Sequence, residues 1–200
     1  GSDLQIATDP QDKDSYFPGT NGQTPYSIIH INAMYDLLSR TYQDILIQKA
    51  RSKNESTALV QMLERSASSK VILIADRNYE TYNGIVHMER KGWKYLIRIR
   101  DTAGIVQPFH FEPDRNLDVW KIITLTRKQT NTFKQMKKDD PARYRCLPKS
   151  SPMDYIDLHE NKYLDLAIRF VRFQITEDTY ETVMTNLSAD DFPSSEIKHL

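Results

Sequence analysis

The sequence predicts an α/β protein in which a layered core of strands and helices is followed by a segment richer in strands. Three observations support this prediction: an unbroken apolar run at residues 71–75, a helical apolar spacing just before it, and strand-like segments that dominate after residue 101. A chain of 200 residues with 39% hydrophobic content can bury one substantial core, or one core with a smaller lobe.

The first quarter of the chain predicts strands around a long loop. Residues 4–7 form a short strand candidate, and residues 9–25 are rich in Asp, Pro, Gly, Thr and Asn, which indicates a surface loop. Residues 27–35 and 40–48 then read as two strands. We expect them to form a hairpin around a turn that begins at Asp36.

A helix and a buried strand follow. Asn54 is the predicted N-cap of a helix that ends near Ser66. Four apolar residues recur at helical spacing along it: Ala58, Leu59, Met62 and Leu63. The apolar run 71–75 is typical of a strand buried on both faces in the centre of a sheet.

The remaining elements have local signals of different strength. Residues 79–91 have helical character, with Gly92 placed to end the helix in a left-handed conformation, and residues 94–100 alternate as a strand. Beyond residue 101 few helical signals occur. The expected strands there are 119–126, 168–175 and 182–187, and a last helix, capped by Ser194 or Ser195, is barely begun when the chain stops, so we expect a fragment.

Charge is distributed unevenly although the formal net charge is zero. Residues 121–149 contain nine basic and two acidic side chains, a local charge of +7 that leaves −7 on the remainder. Such a segment favours a polyanionic partner, although on charge alone a solvated lysine-rich loop explains it more simply.

Cys146 is the single cysteine and no apolar run is long enough to cross a bilayer, so we expect a soluble cytoplasmic protein.

Asp76 is the strongest candidate for chemistry because it directly follows the apolar run. The carboxyl end of a central strand is where ligands and catalytic groups collect in open α/β sheets. Hard Mg²⁺ prefers such carboxylate oxygens, and two ions held by shared carboxylates stabilise both oxygens of a phosphoryl transfer. The alternative is an aspartate that begins the turn into the next helix.

Five segments, in order, resemble one family of enzymes. Residues 75–83 read ADRNYETYN and are similar to the "ADRGYESYN" segment around the second catalytic aspartate of bacterial DDE-type transposases of the insertion-sequence-four family. The other four segments resemble that family's "HLNALYDLL", "KGWNYLIR", "LTRKQT" and "YETVITNL", and they are residues 30–38, 91–98, 125–130 and 180–187.

The resemblance implies a ribonuclease H-like core, at residues 1–101, a β-rich insertion at 102–187 and a helix returning to the core from 188. It implies an enzyme that cleaves and transfers the ends of a transposon with Mg²⁺ or Mn²⁺, with Asp76 as catalytic residue and metal ligand. It also implies double-stranded DNA as partner and a homodimer in the synaptic complex.

Three departures from the family pattern matter. The family's first aspartate, in a "DGS" sequence, falls immediately before Gly1, and Asp3 stays open as that aspartate if Gly1 and Ser2 are foreign to the protein. The third carboxylate is expected beyond Leu200, so we expect this chain alone to be inactive. Asn78 stands where the family has glycine, and asparagine tolerates a left-handed turn better than most residues.

Phosphate contacts are expected from the basic segment, and other candidates are weaker. The expected DNA-binding residues are Arg127, Lys128, Lys134, Lys137 and Lys138. Scattered residues for which surface or core roles are favoured are His30, His87, His110, His159, His199, Cys146, Asp36, Asp44, Tyr79 and Tyr82. Two other functions stay open: a noncatalytic DNA-binding module and a receiver-like domain with Asp76 as phospho-acceptor.

Overall fold

The computed structural model describes residues 1–113 and 115–200, which form a mixed α/β protein with two sheets and few helices. The strands are β1 Ser2–Ile6, β2 Tyr16–Phe17, β3 Tyr26–Asp36, β4 Thr41–Lys49, β5 Ile72–Ala75, β6 Lys94–Ile99, β7 Leu117–Thr126, β8 Tyr144–Cys146, β9 Leu164–Thr176 and β10 Thr179–Thr185. The α-helices are α1 Glu55–Arg65, α2 Tyr82–Arg90, α3 Asn131–Asp139 and α4 Ser194–Ile197. The chain divides into two compact units, residues 1–67 and 68–200.

The first unit is a four-stranded antiparallel sheet with one helix. β3 is its central strand and pairs with β1, β2 and β4. The hairpin predicted around Asp36 is confirmed, since Asp36 Oδ1 accepts from Leu38 N at 2.8 Å and Arg40 adopts a φ of 57°. Asn54 caps α1 as predicted, accepting from Thr57 N at 3.0 Å.

The helix α1 buries the apolar face that the sequence predicts. The four predicted residues are at most 3% exposed: Ala58, Leu59, Met62 and Leu63. The helix ends at Ser66, whose N–H donates to the Met62 carbonyl. Local capping and periodicity were therefore sufficient to define this element.

The second unit is built on a six-stranded sheet in the order β5-β6-β10-β9-β7-β8. β5 and β6 are parallel, as are β7 and β8, and the other neighbours are antiparallel. One face of its core packs five buried residues: Leu96, Val171, Val183, Leu187 and Ile197. Strand β10, from the predicted insertion, pairs with β6, from the predicted core, so a boundary at residue 101 does not separate two sheets.

The expectation that residues 71–75 are buried on both faces is wrong. β5 is the terminal strand of its sheet, and Ile72 and Ile74 are 39% and 46% exposed. Leu73 and Ala75, on the opposite face, are half-buried. An unbroken apolar run identified the strand but not its place in the sheet.

Two arginines of β9 are almost completely buried. Arg169 is paired with Asp118 at 2.6 Å and also donates to the carbonyls of Leu187, Ser188 and Phe192. Arg172 is paired with Asp101 at 2.8 Å and donates to the carbonyl of Glu112. A buried guanidinium needs such a full set of acceptors because an unpaired buried charge is strongly destabilising.

Helix α3 and the short strand β8 were not predicted. Thr130 caps α3 by accepting from Phe133 N at 3.1 Å, and Phe133 is the one buried residue of the helix.

The last helix begins where expected, but its N-cap is Pro193 without a side-chain hydrogen bond, so the predicted serine cap is wrong. Gly92 ends α2 with a φ of 75°, as predicted.

Candidate functional site

Asp76 follows the last residue of β5 and is exposed. Its carboxylate accepts from the backbone N–H of Arg77 at 2.6 Å, and it is the N-cap of a 3₁₀ turn, Arg77–Tyr79. The turn closes through Tyr79 N, which donates to the Asp76 carbonyl at 3.0 Å. Asp76 therefore caps a turn, as the simpler reading of the sequence proposed, while its carboxylate stays accessible to a ligand.

Asn78 lies inside this turn. Of the described residues other than glycine, those with a positive φ are Asn21, Arg40 and His110. The backbone of Asn78 is thus outside the left-handed region, so an asparagine costs no strain there. The tolerance of asparagine for a left-handed turn is not needed at this position, because the turn is 3₁₀.

Glu80 follows the 3₁₀ turn after Asp76 and is half-buried. Its side chain holds the loop that contains Ile105. Its carboxylate accepts from the backbone N–H of Ile105 at 2.5 Å, and burial raises the pKa of the Glu80 carboxyl. Arg145 donates to the carbonyl of the same Ile105 and to Tyr82 Oη, both at 2.6 Å. Gly104, with a φ of 73°, leaves room for the Glu80 carboxylate, which a Cβ at that position would overlap.

Asp101 is another acidic residue that follows the parallel pair β5 and β6, since it comes two residues after the end of β6. It is already occupied: Arg172 donates to it at 2.8 Å and Thr182 donates to it through Oγ1. Its role is to neutralise a buried arginine. In residues 1–113 and 115–200, no group of three or more His, Cys, Asp or Glu side chains is placed to hold a metal ion.

Arg127, expected to contact phosphate, is instead engaged inside the protein. Its guanidinium donates to four backbone carbonyls of one loop, at 2.8 to 3.3 Å: Pro148, Ser151, Met153 and Ile156. A planar guanidinium with donors in a fixed fork suits this task, which a lysine cannot copy. Arg145 is engaged in the same way, with the Ala142 carbonyl as a further acceptor.

The other cations of the basic segment form no ion pair with any residue that the structure describes. These seven cations are Lys121, Lys128, Lys134, Lys137, Lys138, Arg143 and Lys149. Five of them are exposed, and Lys121 and Arg143 are half-buried. Lys137 and Lys138 lie in the last turn of α3, where the helix dipole favours positive charge.

A cluster around His87 was missed by the sequence analysis. His87 Nε2 lies 2.8 Å from Asp154 Oδ2, and His87 Nδ1 lies 3.1 Å from Tyr155 Oη. Asn83 donates to the same Asp154 oxygen at 2.9 Å, and these bonds lower the pKa of the Asp154 carboxyl. The partners are about 70 residues apart, so no local pattern pointed to them.

The sequence of the chain matches a known protein family. The model of the family described as transposase DDE domain matches residues 2–200. The chain belongs to this family. Of the curated proteins compared with it, none matches.

Membership of this family bears on the chemistry expected at Asp76. DDE transposases generally use divalent metal ions, and Asp76 in this transposase domain offers one carboxylate of the kind such ions prefer. Among the described residues, Asp76 is not part of a group of three or more His, Cys, Asp or Glu side chains that could hold an ion. None of the helices described is long and apolar enough to span a membrane.

Proposed function

We propose that this transposase domain belongs to a bacterial enzyme of the insertion-sequence-four family that cleaves and transfers the ends of a transposon. The family match over residues 2–200 supports the transposase role, and the five ordered segments support the finer family. The proposed architecture is a ribonuclease H-like core with an insertion at residues 102–187. A parallel pair, β5 and β6, with an acidic residue directly after β5 agrees with such a core.

Asp76 is proposed as the catalytic carboxylate of this chain and as one ligand of Mg²⁺ or Mn²⁺. Its exposure and its place after β5 leave one side of the carboxylate open to a cation. A bound ion would act as a Lewis acid on the phosphate. Asp76 Oδ1 already accepts from Arg77 N, so the other oxygen, Oδ2, is the one proposed to meet an ion.

Double-stranded DNA is the proposed partner, and a homodimer is the proposed assembly. The observation that carries DNA binding is the set of seven basic-segment cations without ion-pair partners among the described residues. Cations that are not neutralised internally release counterions when they meet phosphates, which drives binding. Lys128, Lys134, Lys137 and Lys138 are the proposed contacts, whereas Arg127 is proposed to act by shaping the neighbouring loop.

A noncatalytic DNA-binding body is the second candidate, because the described residues form no group of three metal-ligating side chains. The two candidates share the DNA surface and differ in chemistry. Metal-dependent nicking of duplex DNA that is lost in Asp76→Ala supports the enzyme. DNA binding that is changed neither by Mg²⁺ or Mn²⁺ nor by Asp76→Ala supports the binding body, whereas the lack of nicking alone does not, because the isolated chain is expected to be inactive.

DNA binding itself is tested by fluorescence anisotropy with a labelled duplex at about 50 and 200 mM salt. We expect weak binding that falls as salt rises, because phosphate contacts dominate. Lys137→Gln with Lys138→Gln should weaken binding on every sequence and reduce the salt dependence. The matched control is Lys13→Gln with Lys70→Gln, which removes two exposed lysines elsewhere. Equal effects of the two pairs would remove α3 from the DNA interface.

A further inference from the structure

Two Asn-Gly pairs occur in the chain, in very different surroundings: Asn21-Gly22 and Asn83-Gly84. In such a pair the backbone nitrogen of the glycine can attack the carbonyl carbon of the asparagine side chain, because glycine has no Cβ to obstruct the approach. Whether the reaction occurs depends on whether the two groups are free to meet. The two pairs differ in this respect.

The first pair forms an exposed turn in the loop between β2 and β3. Gln23 N donates to the Thr20 carbonyl at 3.1 Å, and Asn21 and Gly22 have φ values of 53° and 85°. Two successive positive φ values belong to a type I′ turn, which favours Asn-Gly. All of residues 20–25 are exposed. The turn therefore opens into solvent when the Gln23 hydrogen bond breaks.

The reacting groups of this pair are not engaged elsewhere. Among the residues that the structure describes, none accepts a hydrogen bond from Gly22 N–H and none bonds to the Asn21 side chain. A Cβ built on Gly22 would meet no atom within 4 Å, so the space around it is open. Exposed turns with few hydrogen bonds open at little cost in free energy, which lets the glycine nitrogen reach the side chain.

The second pair is held in place by the protein. Asn83 is buried, its Nδ2 donates to Asp154 Oδ2 and its Oδ1 accepts from Asp154 N, both at 2.9 Å. Gly84 N donates to Thr81 Oγ1 at 3.2 Å, in the first turn of α2. The attack would require these three bonds to break and the start of the helix to unwind. Such an opening costs much more than opening an exposed turn.

We propose that Asn21 is a site of spontaneous deamidation and that the fold protects Asn83 from the same reaction. The Gly22 nitrogen gives its proton to hydroxide and forms a bond to Asn21 Cγ. The Cγ–Nδ2 bond then breaks, and the leaving nitrogen takes a proton from water and departs as ammonia. Water adds to either carbonyl of the resulting cyclic imide and breaks its bond to nitrogen, which gives aspartate or isoaspartate. The inference is independent of the proposed function, since the one co-reactant is water.

Either product adds a negative charge to a loop that has none, because residues 18–25 contain no ionisable side chain. Aspartate, like asparagine, tolerates a positive φ and should keep the turn, whereas isoaspartate lengthens the backbone within it. The base of the loop is anchored separately, since the rings of Phe17 and Tyr26 stack at 5.2 Å. We therefore expect the modified protein to stay folded.

Mass spectrometry of the digested protein tests the proposal, with Asn83 as the internal control. The folded chain is incubated at pH 6 and 8.5, and the conversion of amide to acid is followed in the tryptic peptides 14–40 and 78–90. We expect Asn21 to react at least about 10-fold faster than Asn83. The rate should rise with pH because hydroxide removes the glycine proton. In about 8 M urea, which exposes both pairs, the two rates should agree within about twofold.

Asn21→Gln should abolish the acidic product, because the longer side chain would have to close a larger ring. Circular dichroism checks that this variant is folded, and the comparison in urea needs no variant. Equal conversion of the two pairs in the folded chain overturns the proposal, because the fold would then not control the reaction. A folded chain in which Asn21 stays intact at pH 8.5 overturns it too, whether or not Asn21 reacts in urea.

Discussion

Asp154 Oδ2 lies 2.8 Å from His87 Nε2 and so joins the loop after β8 to helix α2. Asn83 strengthens the connection from both sides, since its side chain donates to Asp154 and accepts from the Asp154 N–H. Helix α2 begins six residues after Asp76. The loop shaped by Arg127 is thus attached to the helix that follows the candidate catalytic residue.

The first prediction concerns acid stability. Hydrogen bonds from Asn83 and His87 hold the pKa of the Asp154 carboxyl below its ordinary value of 3.8, so ionised Asp154 stabilises the folded state above that value. This stability is lost as the pH falls through the lowered pKa. We expect Asp154→Asn to lower Tm at pH 6, and the difference from the original protein to shrink below about pH 3.8. Thermal unfolding between pH 2.5 and 6 measures it.

The exposed Glu160 provides the matched control for that experiment. Glu160→Gln removes an equal charge from the same loop region without touching the His87 cluster. If its Tm changes with pH as that of Asp154→Asn does, general charge rather than this cluster governs acid stability.

The second prediction separates charge from hydrogen bonding at Glu80. Burial raises the pKa of this carboxyl, so the folded state is favoured below the unfolded pKa and loses that advantage as the pH rises through the folded pKa. Glu80→Gln keeps an oxygen for Ile105 N and should flatten this dependence. Glu80→Ala leaves that N–H without its acceptor and should cost about 1–3 kcal/mol more. Urea unfolding at pH 5 and 8 distinguishes them, and equal stabilities would show that the Ile105 bond contributes nothing.

The third prediction concerns Arg127 and Lys128, which are adjacent in sequence and different in role. Arg127→Ala frees four carbonyls of one loop and should lower the free energy of unfolding by roughly 2–4 kcal/mol. Lys128→Ala, at an exposed site, should change it by less than about 0.5 kcal/mol and weaken DNA binding instead. Chemical denaturation and duplex anisotropy read the two effects separately. Equal loss of stability in both variants would contradict the assignment.

The fourth prediction concerns metal. One exposed carboxylate replaces few waters of a hard cation, so Mg²⁺ should bind with a dissociation constant of roughly 1 mM or weaker. Asp76→Asn should remove what binding there is, whereas Asp44→Asn, whose carboxylate is held by Arg65 at 2.8 Å, should not. Isothermal titration that finds a micromolar site would show that other carboxylates join Asp76.

Elements with strong local signals were predictable. The Asn54 cap, the buried face of α1 and the hairpin at Asp36 all depend on residues a few positions apart, and the structure has each of them. Helix α3 was not predicted because Phe133 is its one buried residue, so the sequence has no apolar periodicity there. Its one signal was Thr130, a residue type that caps helices.

The candidate site was predictable only in part, for a similar reason. Asp76 was selected as a candidate from the apolar run before it, but whether that run lies centrally or at the edge depends on which strands pair with it. The role of Arg127 depends on carbonyls 21 to 29 residues further along the chain. Charge pattern alone cannot distinguish a cation that binds DNA from one that organises a loop.

The two buried arginines of β9 affect how the second unit opens. Arg169 and Arg172 connect this strand, on its two faces, to segments near residues 101, 112, 118 and 187–192. Detaching β9 alone would break both guanidinium networks as well as the ladder hydrogen bonds on its two sides, and it would leave the carbonyls of Glu112, Leu187 and Phe192 without these donors. Local fluctuations of this strand are therefore suppressed, and its amide protons should exchange with solvent only when the whole unit unfolds.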